Sequence, residues 1–275
     1  MNKISFTKMH GTGNDFVLLD ALRRPIRVTE ALARRLCDRR FGVGADQVLI
    51  LEKSKKADFA MRIFNADGSQ VEMCGNGIRC LARYAHERGH TAKKEFTVDT
   101  LAGVKRPRLL DGRVRVDMGE PILDAAKIPT RAAGRVLERP FAIPGSKTTL
   151  RLTAVSMGNP HAVFFVPDAD KIPLDTWGPA IENNKFFPRR TNVEFVQVID
   201  PGHARVRVWE RGAGATLACG TGACGVAVAG VLTGRLHRKV RLSLPGGELG
   251  IEWAADNHVF LSGPAAFVYD GVLAV

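Results

Sequence analysis

Two cysteines stand in matching glycine-rich frames and are the residues best suited to chemistry. The first frame, residues 74–77, is Cys-Gly-Asn-Gly, and the second, residues 219–222, is Cys-Gly-Thr-Gly. Glycines that open a helix leave backbone N–H groups unsatisfied, and such a terminus binds anions and lowers the pKa of a nearby thiol. Two sulfurs on opposite faces of one carbon suit racemisation or epimerisation by two bases.

The spacing between the two frames recurs elsewhere and indicates a duplicated domain. Cys74 and Cys219 are 219 − 74 = 145 residues apart. The same offset relates Asn14 to Asn159, Gln47 to Asn192, Asn65 to Glu210, Gly75 to Gly220 and Gly77 to Gly222. We therefore interpret the chain as two copies of one domain, each with one key cysteine, and we expect the site in the cleft between them.

Hydrophobic periodicity predicts the elements that position these residues. In the first half it predicts strands within 4–20, at 47–51, 57–64, 95–98 and 113–117, a helix capped by Thr29, and a helix from the glycines after Cys74 to just before Gly89. The second half repeats this order, with strands at 150–155, 162–166, 192–198 and 204–209 and a helix at 177–183. The helix after Cys219 is apolar on every side, so we expect protein around it. In each half the simplest architecture is a short helix enclosed by strands.

Composition excludes several classes of protein. The chain has 275 residues, of which 45% are apolar and 25% charged, enough for real cores. It has no apolar run long enough for a membrane span and no signal-peptide pattern, so we predict a cytoplasmic protein with no membrane partner. The five cysteines form no CxxC pair, so we expect reduced thiols and no metal.

The basic charge favours a carboxylate substrate over nucleic acid. The net charge is +12, from 40 Lys and Arg against 28 Asp and Glu. The arginines are scattered and do not line one helix with interleaved aromatics, which argues against a nucleic-acid partner. For Cys37, Cys80 and Cys224, which lack the glycine frame, an ordinary buried cysteine is the favoured interpretation; for Cys74 and Cys219 it is the alternative.

Several motifs closely resemble those of diaminopimelate epimerases. They are residues 9–16, 65–69, 73–80, 158–161, 210–214 and 218–224, and the likeness extends over nearly the whole chain to 262–265. The resemblance implies an α+β (mixed α/β) fold of two pseudo-symmetric domains, each a mixed sheet curled around a central helix. The chain pattern ends the first half near residues 119–121, which predicts domains at 1–119 and 120–264, and the resemblance implies that a last strand at 265–275 returns to the first domain. The implied activity is isomerisation of LL- to meso-diaminopimelate without pyridoxal phosphate or metal, for lysine and peptidoglycan precursors, in a cytoplasmic homodimer.

The resemblance also implies a role for each site residue. Cys74 and Cys219 would be the thiolate and thiol, with pKa values tuned by His161 and Glu210. Arg211 would bind the distal carboxylate and Glu210 the distal ammonium. The other residues expected to bind substrate are Asn14, Gln47, Asn65, Gly75, Asn76, Asn159, Asn192, Gly220 and Thr221. Two positions depart from the family: Ala215 replaces a usual Glu, which questions the rigidity of that loop, and Gly225 replaces a usual Ala, which weakens the helix start.

Two alternatives remain open from the residues. A proline or hydroxyproline racemase also uses paired cysteines, but its substrate has no charged distal end for Glu210 and Arg211. A carboxylate-binding or thiol redox protein without turnover would bind ligand and leave its Cα proton in place.

Overall fold

The computed structural model describes residues 3–274 and divides them into two units. Unit 1 runs to Asp117 and resumes at Ser262, and unit 2 is Met118–Leu261. The first cysteine frame lies in unit 1 and the second in unit 2. Among the described residues, no helix combines the length and apolar character needed to cross a bilayer.

The elements follow in chain order. The elements up to Asp117 are β1 (Lys3–Gly11), β2 (Asn14–Asp20), α1 (Glu30–Cys37), β3 (Gln47–Glu52), β4 (Phe59–Asn65), β5 (Gln70–Val71), α2 (Gly75–Glu87), β6 (Val98–Thr100), β7 (Gly103–Lys105), β8 (Arg108–Leu110) and β9 (Arg113–Asp117). The remaining elements are β10 (Arg139–Ala142), β11 (Thr149–Ser156), β12 (Pro160–Phe165), α3 (Leu174–Glu182), β13 (Asn192–Asp200), β14 (His203–Glu210), β15 (Gly214–Thr216), α4 (Gly220–Leu232), β16 (Lys239–Leu244), β17 (Gly247–Trp253), β18 (Val259–Gly263) and β19 (Ala266–Ala274).

The two sheets repeat one topology. Unit 1 has the strand order β19-β1-β2-β3-β4-β6-β7, and unit 2 has β10-β11-β12-β13-β14-β16-β17-β18. From β1 onward the neighbours in unit 1 pair antiparallel, parallel, antiparallel, parallel and antiparallel. From β11 onward unit 2 has the same sequence of pairings. The predicted mixed α/β fold with two similar halves is confirmed.

Each sheet packs against one central helix. Helix α2 contacts β1, β2, β3 and β4 and buries the predicted stripe, from Ile78 to Ala85. Helix α4 contacts β11, β12, β13, β16 and β17 and is buried from Gly222 to Gly230. The expectation that protein surrounds this wholly apolar helix is confirmed.

One predicted strand is wrong. Residues 95–98 do not form it: the ladder begins only at Val98, and Glu95 makes an isolated bridge with Arg108. The backbone N–H and the hydroxyl of Thr97 both donate to the Asp58 carboxylate at 2.8 Å. The Asp58 carboxylate therefore accepts the Thr97 N–H that a strand would donate to its neighbour. Side chains of Asp and Thr compete with regular structure in this way.

A charge network beside the first glycine-rich turn joins three segments of unit 1. The Asp15 carboxylate accepts from Lys8 of β1 at 2.6 Å, from Arg39 at 2.8 Å and from the backbone N–H of Asp46 at 2.9 Å. Burial alone would raise the pKa of Asp15, but hydrogen bonds from Arg39 and Lys8 outweigh it and hold the pKa well below its usual range. Asp15 adjoins Asn14, so the network fixes the start of β2.

We expect Asp15→Asn to lower the free energy of unfolding by about 1–3 kcal/mol at neutral pH, because it leaves the buried ammonium of Lys8 without its carboxylate. The folded-state pKa lies below the unfolded value of about 3.9, so this stabilisation is present above about pH 4 and is lost as the pH falls further. Urea unfolding across an acid-to-neutral series tests both statements. The exposed Asp111→Asn is the control, and an Asp15→Asn deficit that stays constant to the lowest pH would contradict the linkage.

Candidate active site

Both key cysteines are the N-cap residues of the central helices. Cys74 has extended backbone angles, and its Sγ accepts the N–H of Gly77 at 3.4 Å. Cys219 caps α4 in the same way, accepting from Gly222 at 3.4 Å. The prediction that each helix opens at the glycines is confirmed. Each sulfur therefore lies at a helix start, beside the first-turn N–H groups that have no partner within the helix.

In unit 1, the polar residues of the repeat form two groups, one beside Cys74 and one at the facing ends of β3 and β4. Asn14 Oδ1 lies 3.6 Å from Cys74 Sγ and 3.3 Å from Asn76 Nδ2, and its amide donates to Asp46 at 2.8 Å. Gln47 begins β3, Asn65 ends β4, and the two form a hydrogen bond of 2.9 Å. These contacts follow from the sheet register, in which Gln47 is opposite Asn65.

In unit 2, a chain of polar contacts lies behind the Cys219 helix start. His161 Nε2 is 3.0 Å from Asn159 Oδ1, and its Nδ1 is 2.6 Å from Glu194 Oε1. Asn192 donates to the Pro160 carbonyl at 2.9 Å and accepts the backbone N–H of Arg211. Thr221 Oγ1 lies 3.5 Å from Cys219 Sγ.

Glu210 and Arg211, expected to bind the distal end of a substrate, do not pair with each other among the described residues. Glu210 ends β14 and accepts from the Thr216 hydroxyl at 2.6 Å. The exposed guanidinium of Arg211 donates to the Arg189 carbonyl at 3.3 Å. Both charges remain available to opposite groups on a ligand.

The two departures from the family pattern have structural consequences. Ala215 is exposed within β15, which pairs with β14, so a strand holds this segment without a glutamate. A Cβ on Gly225 would lie 3.2 Å from His161 Cβ. Glycine at this position therefore gives the buried imidazole room.

The expected lowering of the thiol pKa is wrong for Cys219. Burial raises its pKa well above the ordinary value, and the nearby Glu210 and Glu194 carboxylates raise it further. The Gly222 N–H and the Thr221 hydroxyl act in the opposite direction but are outweighed. Burial also raises the pKa of Cys37 to about 11 and of Cys80 to about 12, as expected for core cysteines.

Sequence reasoning missed two charged residues that are fully buried. Arg79, on α2, donates to the Gly75 carbonyl at 3.1 Å and to the Thr12 hydroxyl at 3.2 Å, which ties the first turn of α2 to the β1–β2 turn. Glu194 is the carboxylate beside His161. The available signal for Arg79 was its place near the start of the helix, between the glycine-rich frame and Cys80. Glu194 lies in an alternating strand pattern that is typical of an exposed position.

Comparison with solved structures first defines the class. A PhzF-family phenazine biosynthesis protein from Bacillus anthracis has a TM-score of 0.73 at 15% identity and covers 100% of both chains. A hydroxyproline epimerase from Agrobacterium vitis has a TM-score of 0.67 at 14% identity, covering 99% of this chain and 93% of the other. At such low identity these structures establish only the shared two-domain α/β fold.

Sequence comparison then gives the family. The sequence model of the family described as diaminopimelate epimerase matches residues 6–123 and 153–268. Diaminopimelate epimerase of Moorella thermoacetica is 54% identical over 274 residues, 97% of this chain and 98% of the relative. The enzyme of the same name from Pelotomaculum thermopropionicum is 53% identical, covering 97% of each chain. The chain belongs to the diaminopimelate epimerase family and is an isomerase.

We expect Glu210→Gln to lower the pKa of Cys219, because it removes a negative charge while keeping an acceptor for Thr216. Alkylation of Cys219 by iodoacetamide should then speed up several-fold at neutral pH, since the thiolate is the reactive form. Mass spectrometry of the Cys219 peptide across a neutral-to-alkaline series measures this. Glu138→Gln, which removes a half-exposed carboxylate paired with Arg235, is the matched control. If the rate of Cys219 alkylation depends on pH identically in Glu210→Gln and wild type, Glu210 does not raise the pKa of this thiol.

Proposed function

We propose that Cys74 and Cys219 are the two acid–base groups with which this protein interconverts LL- and meso-diaminopimelate. The observation that carries the proposal is the matched capping geometry, in which each Sγ occupies the start of a glycine-led helix. The relatives that are more than half identical bear the name of this activity. The reaction serves the synthesis of lysine and of peptidoglycan precursors.

The proposed reaction needs no oxidant or reductant. A thiolate takes the α-proton from one face, and the electron pair of the broken C–H bond delocalises into the α-carboxylate. The thiol then delivers its proton to the opposite face, so the centre is inverted and the two sulfurs exchange protonation states. The raised pKa of Cys219 supports its being the thiol, and Cys74 the thiolate, before LL-diaminopimelate reacts.

The backbone of each helix start supplies the electrostatic stabilisation in this proposal. Charge develops on the α-carboxylate, and first-turn N–H groups at Gly75–Asn76 and Gly220–Thr221 are donors fixed in place before the reaction. Donors that need no reorganisation are typically the largest contribution to catalysis of this kind. No cofactor or metal has a role in these steps.

Polar side chains provide substrate recognition. Five side-chain amides are proposed to bind the substrate, and all lie at or next to strand ends. They are those of Asn14, Gln47, Asn65, Asn159 and Asn192. Arg211 would bind the distal carboxylate and Glu210 the distal ammonium. A proline-type substrate would leave both charges unused, which disfavours the racemase alternative.

We further propose that the duplicated halves, 1–119 with 265–275 and 120–264, act together, because inversion requires both thiols at one carbon. A reducing compartment keeps cysteines as thiols, which supports a cytoplasmic location. The proposal includes no nucleic-acid or membrane partner.

A homodimer is proposed through the outer edge of the unit 1 sheet. Strand β19 is the first strand in the order of that sheet and pairs with β1. It exposes Val268, Tyr269 and Val272 by 54%, 48% and 61%. An exposed apolar edge strand is a template for pairing with another chain.

The function is tested by proton NMR of LL-diaminopimelate with reduced protein in heavy water. We expect the Cα proton signal to disappear as the meso isomer forms. Cys74→Ala and Cys219→Ala should each reduce the rate by about 10²- to 10⁴-fold, the usual contribution of a positioned acid or base. Cys37→Ala, a core thiol on α1, is the matched control and should retain activity.

Three results would count against this function. A Cys219→Ala variant that works at nearly the wild-type rate would refute the two-base assignment. Turnover of proline in place of diaminopimelate would establish the racemase alternative. Ligand binding with no exchange of either Cα proton would indicate a binding protein.

For the dimer, we expect Val272→Lys to halve the molar mass measured by light scattering, because the charge would be buried in the paired edge. Leu101→Lys, which changes an equally exposed apolar residue of the β6–β7 turn, should leave the mass unchanged. A dimeric Val272→Lys variant would argue against this edge as the interface.

A further inference from the structure

The duplication allows one half of the molecule to serve as the reference for the other. Phe16 and Leu49 of unit 1 correspond to His161 and Glu194 of unit 2, each pair 145 residues apart. All four residues are fully buried. An apolar pair in one half has therefore become an ionisable pair in the other.

These residues occupy equivalent places behind the two helix starts. A Cβ on Gly77 would lie 2.9 Å from Leu49 Cδ2 and 3.5 Å from Phe16 Cε1. A Cβ on Gly222 would lie 2.6 Å from Glu194 Oε1 and 3.3 Å from Cys219 Sγ. The fourth residue of each frame, Gly77 or Gly222, thus brings the buried pair against the cap, and in unit 2 this places a carboxylate close to the sulfur.

The hydrogen bonds of His161 define where protons lie. Asn159 Oδ1 accepts from Nε2 at 3.0 Å, so Nε2 carries a hydrogen. The remaining proton lies between His161 Nδ1 and Glu194 Oε1, which are 2.6 Å apart with both side chains at 0% exposure. Because Oδ1 of Asn159 is occupied, its NH₂ group is the end left to donate to a ligand.

The buried His161–Glu194 pair is not expected to stabilise the fold more than apolar side chains would. Buried ion pairs are often matched or surpassed in stability by apolar residues of similar size. Unit 1 provides such a solution, with Phe16 and Leu49 at the equivalent positions. Glu194 Oε2 is in addition buried with no hydrogen-bond partner among the residues that the structure describes, and an unsatisfied buried acceptor is costly.

We propose that Glu194 is a positioning residue of the unit 2 half-site: it holds His161 Nδ1 so that Nε2–H orients the Asn159 amide toward the substrate carboxylate. The inference rests on the proposed function and adds a residue to the same site. Its position also makes Glu194 a cause, after burial and Glu210, of the raised pKa of Cys219. Among the described residues of unit 2, the groups that act on this thiol are the Glu210 and Glu194 carboxylates, the Thr221 hydroxyl and the Gly222 N–H.

Two variants distinguish a positioning role of Glu194 from a purely structural one. Glu194→Gln keeps the shape but cannot share a proton with His161. We expect kcat to fall about 10- to 100-fold, the usual effect of losing a residue that orients a site group, with KM little changed. The double substitution His161→Phe with Glu194→Leu copies unit 1. We expect it to fold with a Tm at or above that of wild type and to lose at least as much activity.

The imidazole itself supplies a readout independent of turnover. In protein labelled with ¹⁵N-histidine, the Nδ1 and Nε2 shifts of His161, assigned by its loss in the double variant, report its protonation. We expect these shifts to change in Glu194→Gln. Val196→Ala, two residues further along β13 and equally buried, controls for general loosening of the strand. It should lower Tm but leave the His161 shifts and kcat unchanged.

The outcomes distinguish this inference from the proposed function. Wild-type kcat and unchanged His161 shifts in Glu194→Gln would overturn the positioning role. A double variant that is unfolded or much less stable than wild type would also overturn it, because the pair would then be structural. If the wild-type protein shows no epimerisation but its His161 shifts depend on Glu194, the proposed function fails and the pairing stands.

Discussion

The site depends on one interaction, a cysteine sulfur that accepts the N–H of the glycine three residues later. An N-cap must have extended backbone angles, and the next residues must enter the helix at once. Serine or aspartate would cap more strongly, but neither carries a thiol, the group proposed here to take and return the proton. The cap thus places the reactive sulfur beside the first-turn N–H groups, which have no acceptor within the helix.

Glycine at the fourth position of each frame, Gly77 or Gly222, allows this close packing. Side chains from β3 and β13 approach Gly77 and Gly222 so closely that a methyl group would collide with them. The helix start is therefore packed directly on the sheet, and the strand residue beneath it faces the cap. That strand residue can change from Leu49 to Glu194 while the backbone of the cap is retained. The two units therefore share the backbone geometry of the cap and differ in the side chains that pack against it.

Much of this arrangement could be predicted from the sequence because it is local or repeated. The cysteine frames, the strand ends at Asn65 and Glu210 and the Thr29 cap each have a signal within a few residues or at the 145-residue offset. Glu194 has neither: its repeat partner is a leucine, and its burial results from the packing of α4 on β13. The Cys219 pKa was mispredicted for the same reason, because the helix terminus is visible in sequence but burial and facing carboxylates are not.

The positions at which the two units differ explain how two similarly placed thiols can have different proton affinities. A two-base inversion needs one thiol and one thiolate, and an exact duplication would give both sulfurs the same proton affinity. In unit 2, ionisable His161, Glu194 and Glu210 replace the neutral residues Phe16, Leu49 and Asn65 of unit 1. Both glutamates raise the pKa of Cys219. Two of these substitutions, Glu194 and Glu210, therefore favour the protonated state of Cys219. The asymmetry that the proposed reaction needs arises from side chains behind the cap, and the cap itself is the same in both units.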